Sequence, residues 1–130
     1  MASPPASVAK KKLILVSDSE KTLVESLFKI AETLDLVVTS DAPEKVLARA
    51  KTDKPDLIVL DVNHKDGLEL LSMLKSGIAT RDTPVVVVAR GEAMELREMA
   101  LEVGADAFVT KPLGADFLAK VAAFLHGRAR

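Results

Sequence analysis

The sequence predicts a single α/β domain built on a five-stranded, doubly wound parallel sheet with helices on both faces. Two observations support this fold. Short apolar runs rich in branched aliphatic residues recur along the chain without alternation of polar and apolar positions, as expected for strands that are buried on both faces. Segments with helical spacing of apolar residues separate these runs, so strands and helices alternate strictly along the chain.

Five apolar runs are the predicted strands. Each run is too short for a buried helix, and most of the runs end in a polar residue. In chain order they cover residues 13–17, 36–40, 57–61, 85–89 and 107–110, of which the second is the weakest.

Helical spacing of leucine, isoleucine and valine predicts the helices between and after the strands. Apolar residues recur every three or four positions within 23–34, 68–74 and 118–125. Three aspartates stand where helix N-caps are expected, namely Asp18, Asp41 and Asp66. Gly77 and Gly104 follow periodic stretches, and we expect both to end helices in the left-handed conformation.

Composition limits the possible functions. A chain of 130 residues can bury one hydrophobic core, and the absence of cysteine rules out disulfides and thiolate metal sites. A net charge of -1 argues against direct nucleic-acid binding, and no apolar stretch reaches the roughly 20 residues of a membrane span. We expect a cytoplasmic protein with a flexible N-terminal tail at residues 1–11 and one domain at residues 12–127.

The carboxyl ends of the predicted strands carry the candidate functional residues, because ligands of open parallel sheets bind beyond these ends, where the strand order reverses. Ser17 and Asp18 stand at the end of the first strand. Asp61 ends the third strand, Ala89 ends the fourth and Lys111 follows the fifth. Two carboxylates that lie close together repel each other unless a cation separates them, and Mg²⁺ prefers such oxygen ligands. The lysine can pair with a carboxylate or with a phosphoryl oxygen.

Five segments of the chain resemble, in order and spacing, the landmarks of response-regulator receiver domains. They are residues 15–18, 55–61, 66–71, 84–88 and 104–112, with the sequences LVSD, PDLIVLD, DGLELL, PVVVV and GADAFVTKP. The resemblance extends over nearly the whole of the predicted domain. It implies a flavodoxin-like (βα)5 receiver fold of two-component signalling, in an atypical variant.

The resemblance implies an aspartate that accepts a phosphoryl group from a sensor histidine kinase or a phosphotransfer protein. Matched by position, Asp61 is the acceptor and Lys111 contacts the incoming phosphoryl group. The implied Mg²⁺ ligands are Asp18, Asp61 and the backbone carbonyl of Asn63. Positioning and charge neutralisation supply most of the rate of such transfers. No enzyme activity beyond Mg²⁺-dependent self-phosphorylation is therefore expected.

Three positions depart from the receiver pattern. Ser17 stands where receivers usually have an acidic residue, which removes one negative charge and predicts weaker Mg²⁺ binding. Ala89 stands where a threonine or serine hydroxyl usually hydrogen-bonds the phosphoryl group. Phe108 occupies the position of the switch aromatic and has no hydroxyl to pair. The loop at 62–65 is also shorter than in typical receivers.

Two functions remain open from the sequence. The first is a receiver that is phosphorylated on Asp61 and signals through its fourth helix, fifth strand and fifth helix, within residues 92–125. That face is expected to contact a downstream protein partner or output domain, or to form a homodimer. The second is a phosphorylation-independent pseudo-receiver that serves as a protein-interaction module, which Ser17, Ala89 and Phe108 favour. A phosphatase with an aspartyl nucleophile is disfavoured, because Asn63 stands where such enzymes have a second aspartate.

Several residues also have a purely structural interpretation. Asp18 can cap the first helix, and Lys111 can form a structural ion pair with Asp61. His64 is interpreted as an exposed loop residue. Two methionines, Met94 and Met99, are interpreted as core packing, with an adaptable partner surface as the alternative. Four glutamates of the fourth helix are expected to form a solvated acidic face: Glu92, Glu95, Glu98 and Glu102.

Overall fold

The computed structural model describes residues 12–17, 25, 36–41, 43–62, 65–90, 94–111 and 114–127. Within these residues the chain forms five strands and four helices. The strands are β1 Lys12–Ser17, β2 Leu36–Asp41, β3 Leu57–Asp61, β4 Val85–Arg90 and β5 Ala107–Lys111. The helices are α1 Pro43–Asp53, α2 Lys65–Ser76, α3 Met94–Val103 and α4 Ala115–Gly127. The predicted tail at 1–11 and, apart from residue 25, the predicted helix over 23–34 lie outside the described residues.

All five strands are parallel, and their order in the sheet is β2-β1-β3-β4-β5. The chain therefore proceeds from β1 to β2 on one side and returns to place β3, β4 and β5 on the other. This strand order is that of flavodoxin-like sheets, which confirms the predicted fold class. The order reverses between β1 and β3, so the ligand-binding crevice is expected beyond the carboxyl ends of these two strands.

Helices cover both faces of the sheet, which explains why the strands are apolar throughout. Strand β3 is buried along its whole length, and β4 is buried except for its last residue, Arg90. On one face, Phe117, Val121 and Leu125 of α4 pack against alternate strand residues. On the other face, six buried residues of α1, α2 and α3 pack against the remaining strand positions: Val46, Ala50, Leu70, Leu71, Leu74 and Ala100.

The left-handed backbone conformation that was predicted for two glycines after helices is found at one of them. Gly104, after α3, has a φ of 124°, which favours glycine. Gly77 does not have a positive φ, so that prediction is wrong. A turn follows α2 instead, in which the Arg81 N–H donates to the Gly77 carbonyl over 2.8 Å. The buried Thr80 hydroxyl donates to the Leu74 carbonyl over 2.6 Å and so satisfies an acceptor at the end of α2.

The longest of the described helices, α4, has 13 residues. A helix needs about 20 apolar residues to cross a bilayer. No helix in the described part of the chain combines the necessary length with the necessary hydropathy.

Candidate functional site

Asp61 is the last residue of β3, a central strand of the sheet. It is 5% exposed, and its backbone pairs with Val88 of β4. Thr80 at the opposite end of the domain is the other buried polar residue among those whose side chains are described, so Asp61 is the one buried carboxylate of that set. Burial of a carboxylate is costly unless a cation or hydrogen-bond donors compensate it. Asp61 thus lies at the strand end where the sequence places the candidate acceptor.

The carboxyl ends of the neighbouring strands meet at the same edge of the sheet. Ser17 of β1 pairs with Leu60, which directly precedes Asp61. On the other side, Ala89 of β4 pairs with Thr110, and Arg90 pairs with Lys111. The backbones of the predicted residues Ser17, Asp61, Ala89 and Lys111 are therefore brought together at one edge, as the strand-end argument predicts. Two predicted Mg²⁺ ligands, Asp18 and Asn63, lie outside the described residues.

Two other strands that carry candidate residues, β1 and β5, lie at different distances from Asp61. Adjacent strands lie roughly 4.8 Å apart, so β5, two strands away, lies roughly 10 Å from β3. A group on β5 needs a long side chain to reach the acceptor, and lysine supplies one. A group on the adjacent β1 needs only a short side chain. The residue types at these strand ends thus fit the distances that the sheet imposes.

Two of the positions that depart from the receiver pattern, Ala89 and Phe108, lie in one apolar cluster. Ala89 is fully buried, and Phe108 is 7% exposed. Both belong to the cluster on the α1, α2 and α3 face of the sheet, and Phe108 pairs with Val87, two residues before Ala89. Neither side chain has a hydroxyl, so neither can donate a side-chain hydrogen bond to a bound anion.

The segment after Asp61 is short, because β3 ends at Asp61 and α2 begins at Lys65. Val62 is 2% exposed, and its N–H donates to the Val88 carbonyl over 3.1 Å. Gly67, in the first turn of α2, lies directly against Val62. Sequence reasoning missed this contact, although a glycine inside the first helical turn after a strand-end aspartate is a visible signal. His64 lies outside the described residues.

Sequence reasoning also missed Arg90, an exposed cation at the end of β4. It pairs with Lys111 on β5, so it adds a second basic residue to the edge that carries Asp61. The signal was available, because Arg90 directly follows Ala89 in the sequence. In the described part of the chain, no group of three or more aspartate, glutamate, histidine or cysteine side chains is arranged to hold a metal ion.

The interpretation of the methionines as core packing is wrong. Met94 is 73% exposed and Met99 is 49% exposed, and Leu101 of the same helix is also exposed. The fully buried residue of α3 is Ala100. This helix therefore contacts the core through Ala100, with Leu96 and Val103 half-buried against the same cluster, and leaves three apolar side chains exposed: Met94, Met99 and Leu101. Glu95, Glu98 and Glu102 are exposed as expected, whereas the position of Glu92 is not among the described residues.

The fold and the strand-end geometry agree with comparisons to known proteins. The family model described as "Response regulator receiver domain" matches residues 14–123. The chain is 32% identical over 104 residues to the alkaline phosphatase synthesis transcriptional regulatory protein PhoP of Bacillus subtilis, covering 78% of this chain and 42% of PhoP. It is 40% identical over 116 residues to protein-glutamate methylesterase/protein-glutamine glutaminase 3 of Burkholderia lata, covering 82% of this chain and 30% of that protein. The chain thus spans less than half the length of these relatives.

The structure also resembles a solved receiver domain protein, described as CheY-like, from Methanospirillum hungatei. The TM-score is 0.81 at 25% sequence identity, and the match covers 92% of this chain and 98% of the solved chain.

Proposed function

The chain belongs to the response regulator receiver domain family of two-component systems, and we propose that it accepts a phosphoryl group on Asp61 from a histidine kinase or phosphotransfer protein. The observation that carries this proposal is the burial of the Asp61 carboxylate at the carboxyl end of a central strand, next to the point where the strand order reverses. A buried carboxylate at this place is suited to act as a nucleophile toward a ligand bound beyond the strand ends.

The proposed reaction is a direct phosphoryl transfer. A carboxylate oxygen of Asp61 attacks the phosphorus of the donor phosphohistidine, the phosphorus–nitrogen bond breaks, and an acyl phosphate forms on Asp61. The leaving imidazole takes up a proton. Lys111 is proposed to pair with a phosphoryl oxygen, because its place on β5 suits a long cationic side chain.

The proposed metal is Mg²⁺, held by the carboxylates of Asp18 and Asp61 and by the backbone carbonyl of Asn63. The described member of this set is a buried carboxylate, whose oxygen ligands fit a hard cation. When bound, Mg²⁺ neutralises charge on the transferred phosphoryl group. Ser17 lacks the carboxylate usual at its position, so we expect binding to be weak.

The output surface is proposed to be the face formed by α3, β5 and α4, hereafter the 94–127 face. These elements are the fourth helix, fifth strand and fifth helix of the sequence-based prediction, because the first predicted helix lies, apart from residue 25, outside the described residues. It carries the exposed apolar residues Met94, Met99, Leu101 and Leu118. Exposed methionines suit an adaptable protein partner. The two curated relatives named above are by name a transcriptional regulator and a methylesterase, so receivers of this kind are combined with different outputs. We propose that this domain itself contacts proteins rather than nucleic acid.

The experiment is intact-protein mass spectrometry after incubation with Mg²⁺ and phosphoramidate, a small phosphodonor. Wild type is expected to gain the mass of one phosphoryl group, and Asp61→Asn is expected to gain none. Asp116→Asn is the matched control, because Asp116 is an exposed carboxylate in the first turn of α4 and should not affect the gain. Absence of any mass gain in wild type contradicts the proposal and favours the pseudo-receiver. A gain that persists in Asp61→Asn places the phosphoryl group elsewhere.

A further inference from the structure

Gly67 lies against the backbone of the residue that follows the acceptor. A Cβ atom added at Gly67 would stand 2.7 Å from the Val62 Cα, 3.0 Å from its Cβ and 3.1 Å from its Cγ1. The nearest atom belongs to the main chain, so no change of rotamer can relieve the contact. Because protein interiors are close-packed, a side chain at position 67 must displace Val62 or the start of α2.

Val62 is also held from its other side. Its N–H donates to the Val88 carbonyl of β4 over 3.1 Å. Its side chain is 2% exposed and belongs to the same cluster as Leu70 and Leu71 of α2. Val62 is thus fixed between β4 and the first two turns of α2. A side chain at position 67 that displaces Val62 therefore also displaces the backbone of Asp61, which directly precedes Val62 in the chain.

We propose that Gly67 is a positioning residue for the acceptor: it lets α2 approach Val62 closely enough to hold Asp61 at its place on the sheet edge. The proposal rests on the proposed role of Asp61 as the phosphoryl acceptor. Gly67 touches neither substrate nor metal and acts only through Val62. The short segment between β3 and α2 makes this contact effective, because few residues are available to absorb a displacement.

Two further glycines of the chain provide matched controls for the same substitution. Gly114 precedes α4, and an added Cβ there would meet nothing within 4 Å. Gly104 has a φ of 124°, and its added Cβ would stand 3.2 Å from Lys75 Cγ, so alanine there is strained. Gly104 lies before β5, at the sheet edge opposite to Asp61. Gly104→Ala therefore reports destabilisation without a change near the acceptor.

The experiment compares Gly67→Ala, Gly104→Ala and Gly114→Ala by amide hydrogen exchange and by the rate of phosphorylation with phosphoramidate at saturating Mg²⁺. In Gly67→Ala we expect exchange of the Val62 N–H to rise by about tenfold or more relative to the Val59 and Leu60 amides. We expect its phosphorylation rate per folded molecule to fall by about tenfold or more, because small misplacements of a reacting group are costly. Gly104→Ala should raise exchange of the core amides by a common factor, and Gly114→Ala should change neither quantity.

Each outcome bears on one proposal. If wild type is not phosphorylated, the proposed function fails, and the Val62 exchange still decides whether Gly67 holds this segment. A uniform rise of exchange in Gly67→Ala, like that in Gly104→Ala, would overturn the positioning role. An unchanged phosphorylation rate despite faster Val62 exchange would overturn it as well.

A second pair of variants keeps the test decisive if Gly67→Ala does not fold. Val62→Ala loosens the same contact without a clash, and we expect faster local exchange and slower phosphorylation. Val46→Ala is its control, because Val46 is a fully buried valine of the same cluster on α1. Equal phosphorylation rates for the two variants would contradict the proposal.

Discussion

Lys75 of α2 donates a hydrogen bond from its Nζ to Asp106 Oδ2 over 3.0 Å, joining the end of a helix to the residue before β5. The same ammonium donates to the Thr83 carbonyl over 3.1 Å. Asp106 Oδ2 also accepts from the N–H of Val85, the first residue of β4, over 2.8 Å. One carboxylate therefore ties α2 to the beginnings of two strands, at the sheet edge opposite to Asp61.

The first prediction concerns this carboxylate. Asp106→Ala should lower the free energy of unfolding by about 1–3 kcal/mol, because it leaves the buried Val85 N–H without its acceptor. Asp106→Asn keeps an acceptor oxygen and should cost less. The measurement is urea unfolding at neutral pH. Asp116→Ala is the control, since its pair with Lys120 is exposed and should be worth less than about 1 kcal/mol. Equal losses for Asp106→Ala and Asp116→Ala would show that the Val85 contact contributes nothing.

A second prediction compares two threonines that make the same kind of hydrogen bond. Thr80 is 1% exposed and donates to the Leu74 carbonyl over 2.6 Å, whereas the exposed Thr52 donates to the Ala48 carbonyl over 3.0 Å. Thr80→Val should lower the free energy of unfolding by about 1–3 kcal/mol, because the carbonyl loses its donor where water does not replace it. Thr52→Val should change it by no more than about 0.5 kcal/mol. Urea denaturation measures the change in the free energy of unfolding for both variants. Equal changes would contradict the expected effect of burial on the hydrogen bond.

A third prediction concerns Lys54, a residue other than glycine with a φ of 49°. Its N–H donates to the Ala50 carbonyl, so it ends α1 in the left-handed conformation, which costs an ordinary residue about 1–2 kcal/mol. Lys54→Gly should therefore raise the free energy of unfolding, by about 0.5–1 kcal/mol after the entropy of glycine is included.

The same substitution three residues earlier serves as the control. Lys51 is exposed in the last turn of α1, and Lys51→Gly should lower the free energy of unfolding by about 0.5–1 kcal/mol. Thermal unfolding followed by circular dichroism measures both variants. Changes of the same sign at positions 51 and 54 would contradict the assigned conformation of Lys54.

The strands were the most predictable part of the fold, and the reason is physical. Burial on both faces requires apolar residues at every strand position, so the runs at 57–61 and 85–89 agree with β3 Leu57–Asp61 and β4 Val85–Arg90 to within one residue. Helix ends were less predictable. Gly104 adopts the predicted left-handed conformation, but Gly77 does not, and Lys54 adopts it without having been predicted, because the path to the next strand, more than residue type, sets the backbone angle there.

Only part of the candidate site was predictable from the sequence as well. Asp61, Ala89 and Lys111 could be located from the sequence, because parallel strands bring their carboxyl ends to one edge. The contact of Gly67 with Val62 was missed: the glycine is visible in the sequence, but the distance between the helix and Val62 depends on the three-dimensional packing. The exposure of Met94 and Met99 was also beyond the sequence pattern, because apolar spacing on a helix does not reveal whether a second element covers that face.

The last prediction concerns the missing hydroxyl at Ala89. With Ala89 and Phe108 in one apolar cluster, a phosphoryl group on Asp61 has no side-chain hydroxyl from β4 to attract, so wild type should couple weakly to the 94–127 face. Ala89→Ser restores a donor at the end of β4. We expect the amide shifts that beryllofluoride and Mg²⁺, as a phosphoryl mimic, induce in α3, β5 and α4 to become larger in Ala89→Ser than in wild type. Because Ala89 is fully buried, the unliganded variant should also be less stable by about 1–3 kcal/mol.

Ala100→Ser separates a specific hydroxyl from a general perturbation of the core. Ala100 is an equally buried alanine of the same cluster, but it lies on α3 rather than at the strand edge that carries Asp61. Its substitution should lower stability without enlarging the shifts that the mimic induces. Large, concerted shifts across the 94–127 face in wild type itself would contradict the prediction, because the face would then respond to the acceptor without a hydroxyl at position 89. In that case, backbone or charge contacts along β4 and β5 would be sufficient to bias its packing.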